Sequence, residues 1–306
     1  MLMRLVSRLG LALVVALGVA SLVFALIHLT PGDPVDALLG ESAASVDREA
    51  LRTALGLDAP LPAQWWRFVS GLATGDLGRS LGSQRPVAML IAERLPQTLV
   101  LAVAAMSVAL CLALPLGLYS ALRVGTGWDL LTSTLAVMGM ALPSFVLGPV
   151  LMMVFAVRLG WLPVAGGDTP AALVLPALTL GLALAALLTR MVRAAVCEVL
   201  GEPYILAARA RGLGESRVLW RHALRNATLP VLTVVGLQLG ALLGGAVITE
   251  MVFGWPGLGQ LTIEAIQRRD YPLVQGCVLT VSLGYVGLNL LTDLLYGCLD
   301  PRVKAL

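Results

Sequence analysis

Long apolar runs decide the fold of this chain. The clearest is QTLVLAVAAMSVALCLALPLGLYSAL, residues Gln97–Leu122, in which no residue carries a charge. An α-helix of about 20 apolar residues crosses the hydrocarbon core of a bilayer. Strands of a membrane β-barrel alternate apolar and polar positions and do not produce such runs. The run therefore predicts a transmembrane helix.

The composition extends this prediction to the whole chain. Its 306 residues are 58% hydrophobic and only 13% charged, whereas a soluble domain carries about 25% charged residues. We predict an all-α, polytopic membrane protein with six transmembrane helices. The predicted spans are Leu9–Leu29, Gln97–Leu122, Leu130–Val157, Leu173–Val192, Leu229–Phe253 and Leu273–Gly297.

Arginine placement predicts the orientation and organisation of the chain. Arg4, Arg8, Arg123 and the arginines of residues 190–225 fall on one side of the predicted spans, which is therefore the cytoplasmic side. Six spans then place both termini in the cytoplasm. The predicted parts are an N-terminal segment with the first span (1–29), an external loop with short helices (30–96) and a transmembrane core (97–306), which contains a cytoplasmic loop (193–228).

The external loop contains two helix patterns. Ser45 is a good N-cap for a first helix that Gly56 ends. A second helix, Pro62–Leu72, carries Trp65, Trp66 and Phe68. These aromatic residues are typical of a belt at the membrane interface, and they also suit a docking surface or lid for an external partner.

Glycines and carboxylates inside the spans suggest further roles. Gly236, Gly240 and Gly244 recur at four-residue spacing, which places them on one helix face and predicts close helix packing; an interface that moves would show the same pattern. Glu250 and Asp293 lie near span ends, where snorkelling or a structural hydrogen bond is favoured over a proton relay.

Several chemistries are excluded by residues that the chain lacks. Lys304 is the only lysine, so a phosphate-binding P-loop is excluded. The four cysteines show no metal-ligand spacing, and no cluster of a nucleophile with a base predicts an enzyme. The basic residues lie beside membrane spans, so nucleic-acid binding is not expected.

The polar stretch Arg190–Pro230 is the main candidate for function. It contains seven arginines and three acidic residues between two apolar spans. Within it, residues 204–213 read YILAARARGL, and residues 221–230 read RHALRNATLP. A basic, helix-forming loop in the cytoplasm offers a surface to a partner.

This stretch resembles the EAA loop of importer-type ABC permeases in the peptide/nickel subfamily. Ala207, Ala208 and Gly212 match the alanine pair and the glycine of that motif, and Leu206 stands where other subfamilies carry a glutamate. The alanines favour a helix and leave a flat surface for close docking, and Gly212 permits the turn between two short helices. The flanking residues Arg209, Arg211, Arg217 and Arg221 can pair with carboxylates of a partner. The resemblance continues at Pro31–Pro34, Gly56–Pro60, Gly75–Gly78, Thr249–Gly259, Arg269–Pro272 and Asp300–Arg302. It implies a type I ABC importer permease fold, with an ATPase-coupling loop that includes Tyr204, Ala207, Ala208, Arg211, Gly212, Arg221, Asn226 and Pro230.

The resemblance also implies partners and cargo. A bacterial inner-membrane permease of this family works with two ABC ATPase subunits, a second permease subunit and a periplasmic or lipid-anchored binding protein. ATP and Mg²⁺ are bound by the ATPases, and no cofactor is expected in this chain. The implied substrates are dipeptides, oligopeptides, glutathione or nickel chelates. An ion-coupled secondary transporter is the alternative, because it also has bent spans and intramembrane carboxylates.

Overall fold

The structure, a computed structural model, describes residues 2–29, 49, 52–53, 58–167 and 169–299. Within these ranges the regular structure is helical, apart from an antiparallel bridge between Arg79 and Pro86. The α-helices are α1 (Leu2–Leu29), α2 (Leu61–Ala73), α3 (Val87–Leu122), α4 (Gly127–Ala141), α5 (Ser144–Leu151), α6 (Val174–Leu200), α7 (Pro203–Ala210), α8 (Leu224–Gly245), α9 (Val247–Phe253), α10 (Leu258–Gln267) and α11 (Tyr271–Leu299).

The predicted helices of the external loop have different outcomes. The helix Pro62–Leu72 is confirmed by α2, which begins after Pro60 with a proline in its first turn; this position suits proline because its missing N–H would be unpaired there anyway. The helix predicted between Ser45 and Gly56 lies mostly outside the described residues.

The predicted six spans are not confirmed as a count. Among the described residues, four helices are long and apolar enough to cross a membrane, or five if one bent pair forms a single span. The first predicted span, Leu9–Leu29, lies within α1.

The third predicted span, Leu130–Val157, is not one straight helix. Helix α4 and the helical segment Ser144–Arg158 meet at an angle of 100°. The residue before a proline is disfavoured in the helical region, and Leu142, which precedes Pro143, is extended with φ −87° and ψ 112°. The break is therefore a local consequence of Pro143.

The chain divides into two compact units. The first contains residues 1–98 and 256–286. Its core joins α3, α10 and α11 through Val87, Ile91, Leu258, Leu273 and Cys277. Helix α2 lies against α1, where the Trp65 indole N–H donates to the Ser21 hydroxyl at 3.0 Å and the rings of Phe24 and Phe68 are 5.9 Å apart.

The second unit contains residues 99–255 and 287–306, with α6 packed against α3, α4 and α8. Small residues allow the close approach: a Cβ built on Gly117 would lie 2.7 Å from Val192 Cβ and 2.8 Å from the Thr189 carbonyl oxygen. A Cβ built on Gly181 would likewise lie 2.7 Å from Val108 Cβ, and one built on Gly139 would lie 2.9 Å from Ala186 Cβ. Helix α6 is consequently held tightly between its neighbours.

Candidate functional site

The basic stretch folds as a helical hairpin, residues 203–223, hereafter the basic hairpin. Its first arm is α7, and its second arm runs from a short helical turn, Glu215–Arg217, through a π-helical turn, Val218–Ala223, into α8. Gly212 lies between the arms with φ +77°, a left-handed conformation that glycine adopts without steric cost. The Gly212 N–H donates to the Arg209 carbonyl at 2.9 Å and ends the first arm.

The two arms share a small apolar core. Ile205, Ala208, Val218 and Ala223 are buried there. The sequence interpretation placed both alanines of the motif on a flat docking surface, and this is wrong for Ala208, which is only 7% exposed. Consecutive residues on a helix point about 100° apart, so Ala207 remains exposed while Ala208 faces the second arm.

Polar contacts fix the arms to each other and to α8. The Arg209 guanidinium donates to both oxygens of Glu215, from Nε at 2.8 Å and from Nη2 at 3.1 Å. The Asn226 amide donates to the Tyr204 hydroxyl at 2.7 Å. Arg209, expected to pair with a partner's carboxylate, therefore has an internal partner. Other predicted residues of this loop, Arg211, Arg221 and Pro230, are exposed.

The outer surface of the basic hairpin is apolar as well as basic. Trp220 is 66% exposed and Leu206 is 58% exposed, and arginines stand beside both. Exposed large apolar side chains together with arginines are typical of an interaction surface. Sequence reasoning missed Trp220, although a tryptophan inside an arginine-rich loop was a usable signal.

A partly buried ion pair near the basic hairpin was also missed. Arg193 of α6 donates to the Asp129 carboxylate of α4 from Nε at 2.6 Å and from Nη2 at 2.8 Å. The Ser120 hydroxyl donates to the same carboxylate at 2.5 Å, and the Gly125 N–H at 3.0 Å. Asp129 is in the first turn of α4, where a carboxylate also interacts favourably with the helix dipole.

The predicted glycine face of α8 has a varied environment. Gly236 and Gly240 are buried, and Gly244 is exposed. A Cβ on Gly236 would lie 2.8 Å from Thr292 Cβ and closer still to the rest of that side chain. The helix-packing role of the three glycines stays a prediction.

Glu250 does not snorkel. Glu250 is fully buried at 0% exposure. Its backbone carbonyl accepts the backbone N–H of Trp255 at 2.8 Å, where α9 ends. The side chain of Asp293 lies outside the described residues. In the part of the chain that the structure describes, no group of three His, Cys, Asp or Glu side chains could hold a metal ion.

In the first unit, the loop of residues 80–82 donates hydrogen bonds to the Asp270 carboxylate. This carboxylate accepts the Ser80 hydroxyl at 2.5 Å and the backbone N–H groups of Leu81 at 3.0 Å and Gly82 at 3.2 Å. Asp76 accepts the Gly78 N–H at 2.8 Å in the preceding turn. The Asp270 contacts give the Arg269–Pro272 motif a structural role, because they hold the 80–82 loop on the start of α11. The Asp76–Gly78 bond closes the turn of the Gly75–Gly78 motif.

Known proteins similar to this chain share its architecture. A family model described as binding-protein-dependent transport system inner membrane component matches residues 113–305, and the N-terminal model of such membrane components matches residues 1–102. The glutathione transport system permease protein GsiC of Pectobacterium atrosepticum is 46% identical over 284 residues, 92% of each chain. The protein of that name from Escherichia coli is 43% identical over 286 residues, 94% of each chain.

A solved structure supports the fold. In an inward-facing conformation of the MetNI methionine ABC transporter, one chain matches with a TM-score of 0.58, covering 69% of this chain and 97% of that chain. At 20% identity this likeness shows the fold alone.

These findings decide between the functional classes considered from the sequence. The ion-coupled secondary transporter is wrong, because the family model and the relatives describe permease components of binding-protein-dependent systems. The same names describe transport components rather than enzymes. The chain therefore belongs to the family of binding-protein-dependent transport system inner membrane components, as the transmembrane permease subunit of an ABC importer.

Proposed function

We propose that this permease subunit carries glutathione or a related short peptide across the bacterial inner membrane. The single observation that supports this choice is the identity of 43–46% over more than nine-tenths of the chain to permeases named for glutathione transport. Dipeptides, longer peptides and nickel chelates are the competing cargoes. Selectivity in this proposal resides largely in the partner binding protein.

The proposed partners are two ABC ATPase subunits, a second permease subunit and a binding protein on the outer side. ATP and Mg²⁺ are held by the ATPases, and this chain contributes the path and the mechanical link. Nucleotide-driven closure of the ATPases favours one conformation of the permease pair through differential binding. In this arrangement the basic hairpin and both termini lie in the cytoplasm.

The basic hairpin is the proposed contact with the ATPases. Its apolar core and the Arg209–Glu215 ion pair make it a compact unit. Leu206, Ala207 and Trp220 provide exposed apolar surface at its outside, and Arg211 and Arg221 provide charges that suit a carboxylate-bearing cleft. A surface with this combination buries tryptophan and arginine on binding, the residue types that dominate interface energies.

Substitution of Gly212, which has a positive φ, tests this contact. Valine at Gly212 cannot adopt φ +77° without strain, which costs about 1–3 kcal/mol and distorts the turn between the arms. In the complete transporter, Gly212→Val should lose co-purification of the ATPases and binding-protein-stimulated ATP hydrolysis, while the chain still inserts into the membrane.

Gly160→Val is the matched control, because Gly160 also has a positive φ, +63°, with nothing within 4 Å of an added Cβ, and lies outside the basic hairpin. It should introduce similar strain and leave ATPase association intact. If Gly212→Val keeps both ATPase association and stimulated hydrolysis, the assignment of the basic hairpin is wrong.

The substrate needs a separate experiment. The partner binding protein is purified without added ligand, and the small molecules that it retains are identified by mass spectrometry. Retention of glutathione or a short peptide supports the proposed cargo. Retention of a nickel chelate, with no affinity for glutathione, contradicts it without affecting the assignment of the basic hairpin.

A further inference from the structure

The Asp129–Arg193 ion pair joins three helices at one point. Arg193 belongs to α6, Asp129 to α4, and Ser120, which donates to the same carboxylate, to the end of α3. The Asp129 residue is only 7% exposed. Two parallel N–H···O bonds from one guanidinium fix both the distance and the orientation of the two helices.

Stability alone does not explain such a pair. Removing the Asp129 carboxylate from water is costly, whereas the Arg193 side chain stays 31% exposed. Well-packed apolar residues in place of buried charges often stabilise a protein equally or better. The neighbouring contacts of α6 with α3 and α4 are already close apolar ones, through Gly117, Val192, Gly139 and Ala186. The ion pair adds directional restraint to a contact that apolar packing already holds.

The same end of α6 is continuous with the basic hairpin. Val192, Ala195 and Val196 pack with Ala121 of α3 and Ala227 of α8. One to two turns further on, Val199 and Leu200 pack against the core of the basic hairpin, which contains Ile205, Ala208, Val218 and Ala223. Arg193 lies about 10 Å along the helix from Leu200, at 1.5 Å per residue.

We infer that Asp129 and Arg193 are positioning residues of the transport cycle. They lock the end of α6 to the α3–α4 turn, so that a displacement imposed on the basic hairpin moves α3 and α4 with it as one body. Without the lock, mainly apolar contacts, which carry no directional hydrogen bond, join this end of α6 to α3 and α4, and part of the displacement is lost before it reaches the spans. The inference rests on the proposed ATPase contact of the basic hairpin.

Spin-label distances test the inference without knowledge of the substrate. Labels are placed at Ser216 in the basic hairpin and Leu131 in α4, both exposed, in a chain whose four native cysteines are replaced. Distances are measured in the complete transporter, without nucleotide and trapped with ATP and vanadate. The wild-type distribution should be narrow and the same in both states. In Arg193→Gln and Asp129→Asn it should broaden or shift on trapping.

ATP hydrolysis provides the functional readout. We expect both variants to retain the ATPases, while stimulation of hydrolysis by the binding protein falls about 5-fold or more, the lower end of typical coupling between sites. The double variant should be no worse than either single variant, because both remove one interaction. Arg193→Lys keeps the charge without the two-pronged geometry, so it should restore only part of the stimulation.

Thr98→Val is the control for general destabilisation. It removes the hydroxyl that accepts the Leu258 N–H at 2.7 Å in the first unit, so it should lower the unfolding temperature and leave stimulation unchanged. The inference is overturned if Arg193→Gln keeps the narrow distance and wild-type stimulation, or if Thr98→Val reduces stimulation as much at equal stability. A wrong assignment of the ATPase contact would be seen in a different experiment, because the ATPases would then still co-purify with the Gly212→Val variant.

Discussion

Gly236 is the position where one added methyl group should have the clearest cost. Helix α8 approaches α11 so closely that a Cβ on Gly236 would lie 2.8 Å from Thr292 Cβ. Carbon atoms pack best at about 3.5–4.0 Å. Thr292 Cβ is bonded to the backbone, so rotation of the side chain cannot relieve this contact, and Gly236→Ala requires the two helices to move apart.

The magnitude follows from two opposing effects. Overpacking of a closely packed contact costs about 1–3 kcal/mol. Replacement of glycine by alanine inside a helix contributes up to about 1 kcal/mol in the opposite direction. Gly287→Ala is the matched control, because Gly287 is inside α11 and nothing lies within 4 Å of an added Cβ. The helix-propensity effect cancels between the two variants, which should differ by about 1–3 kcal/mol.

The assay is reversible unfolding of the purified chain in mixed detergent micelles, followed by loss of helical circular dichroism. Gly236→Ala should unfold at a lower denaturant concentration than Gly287→Ala. Adding Thr292→Ala to Gly236→Ala removes the hydroxyl and methyl contacts and should restore part of the difference. Equal midpoints for Gly236→Ala and Gly287→Ala would show that the α8–α11 contact is not close, and the packing role predicted for Gly236 would be refuted.

Two further predictions concern the first unit. Asp270→Asn should lower the free energy of unfolding by about 1–3 kcal/mol, because it leaves the donors of the 80–82 loop, among them the buried Ser80 hydroxyl, without a charged acceptor. Ser80→Ala should cost about 1 kcal/mol. A larger loss for Ser80→Ala than for Asp270→Asn, measured by the same unfolding assay, would contradict the central place of the carboxylate. Trp65→Phe removes the N–H that donates to Ser21 and should lower the free energy of unfolding by about 0.5–1.5 kcal/mol. Limited proteolysis should then cleave the α1–α2 region faster than in the wild type. A cleavage rate equal to that of the wild type would show that this bond does not hold α2.

Local chemistry made much of this fold predictable. The helix Pro62–Leu72, predicted from a stretch that carries Trp65, Trp66 and Phe68, is present as α2. Gly212 was expected to form the turn between two short helices, and it does so with a positive φ. The bend at Pro143 also has a local cause, although its size, 100°, did not follow from the sequence.

The sequence by itself determined where the chain is apolar, where it turns and where its basic surface lies, because each of these depends on residues within a few positions of one another. Only the tertiary structure decided which faces meet. In spans that are apolar all round, periodicity does not indicate which side a neighbour covers. The partners Asp129 and Arg193 are 64 residues apart, and Ser80 and Asp270 are 190 apart, so their pairing depends on helix packing that no local pattern encodes.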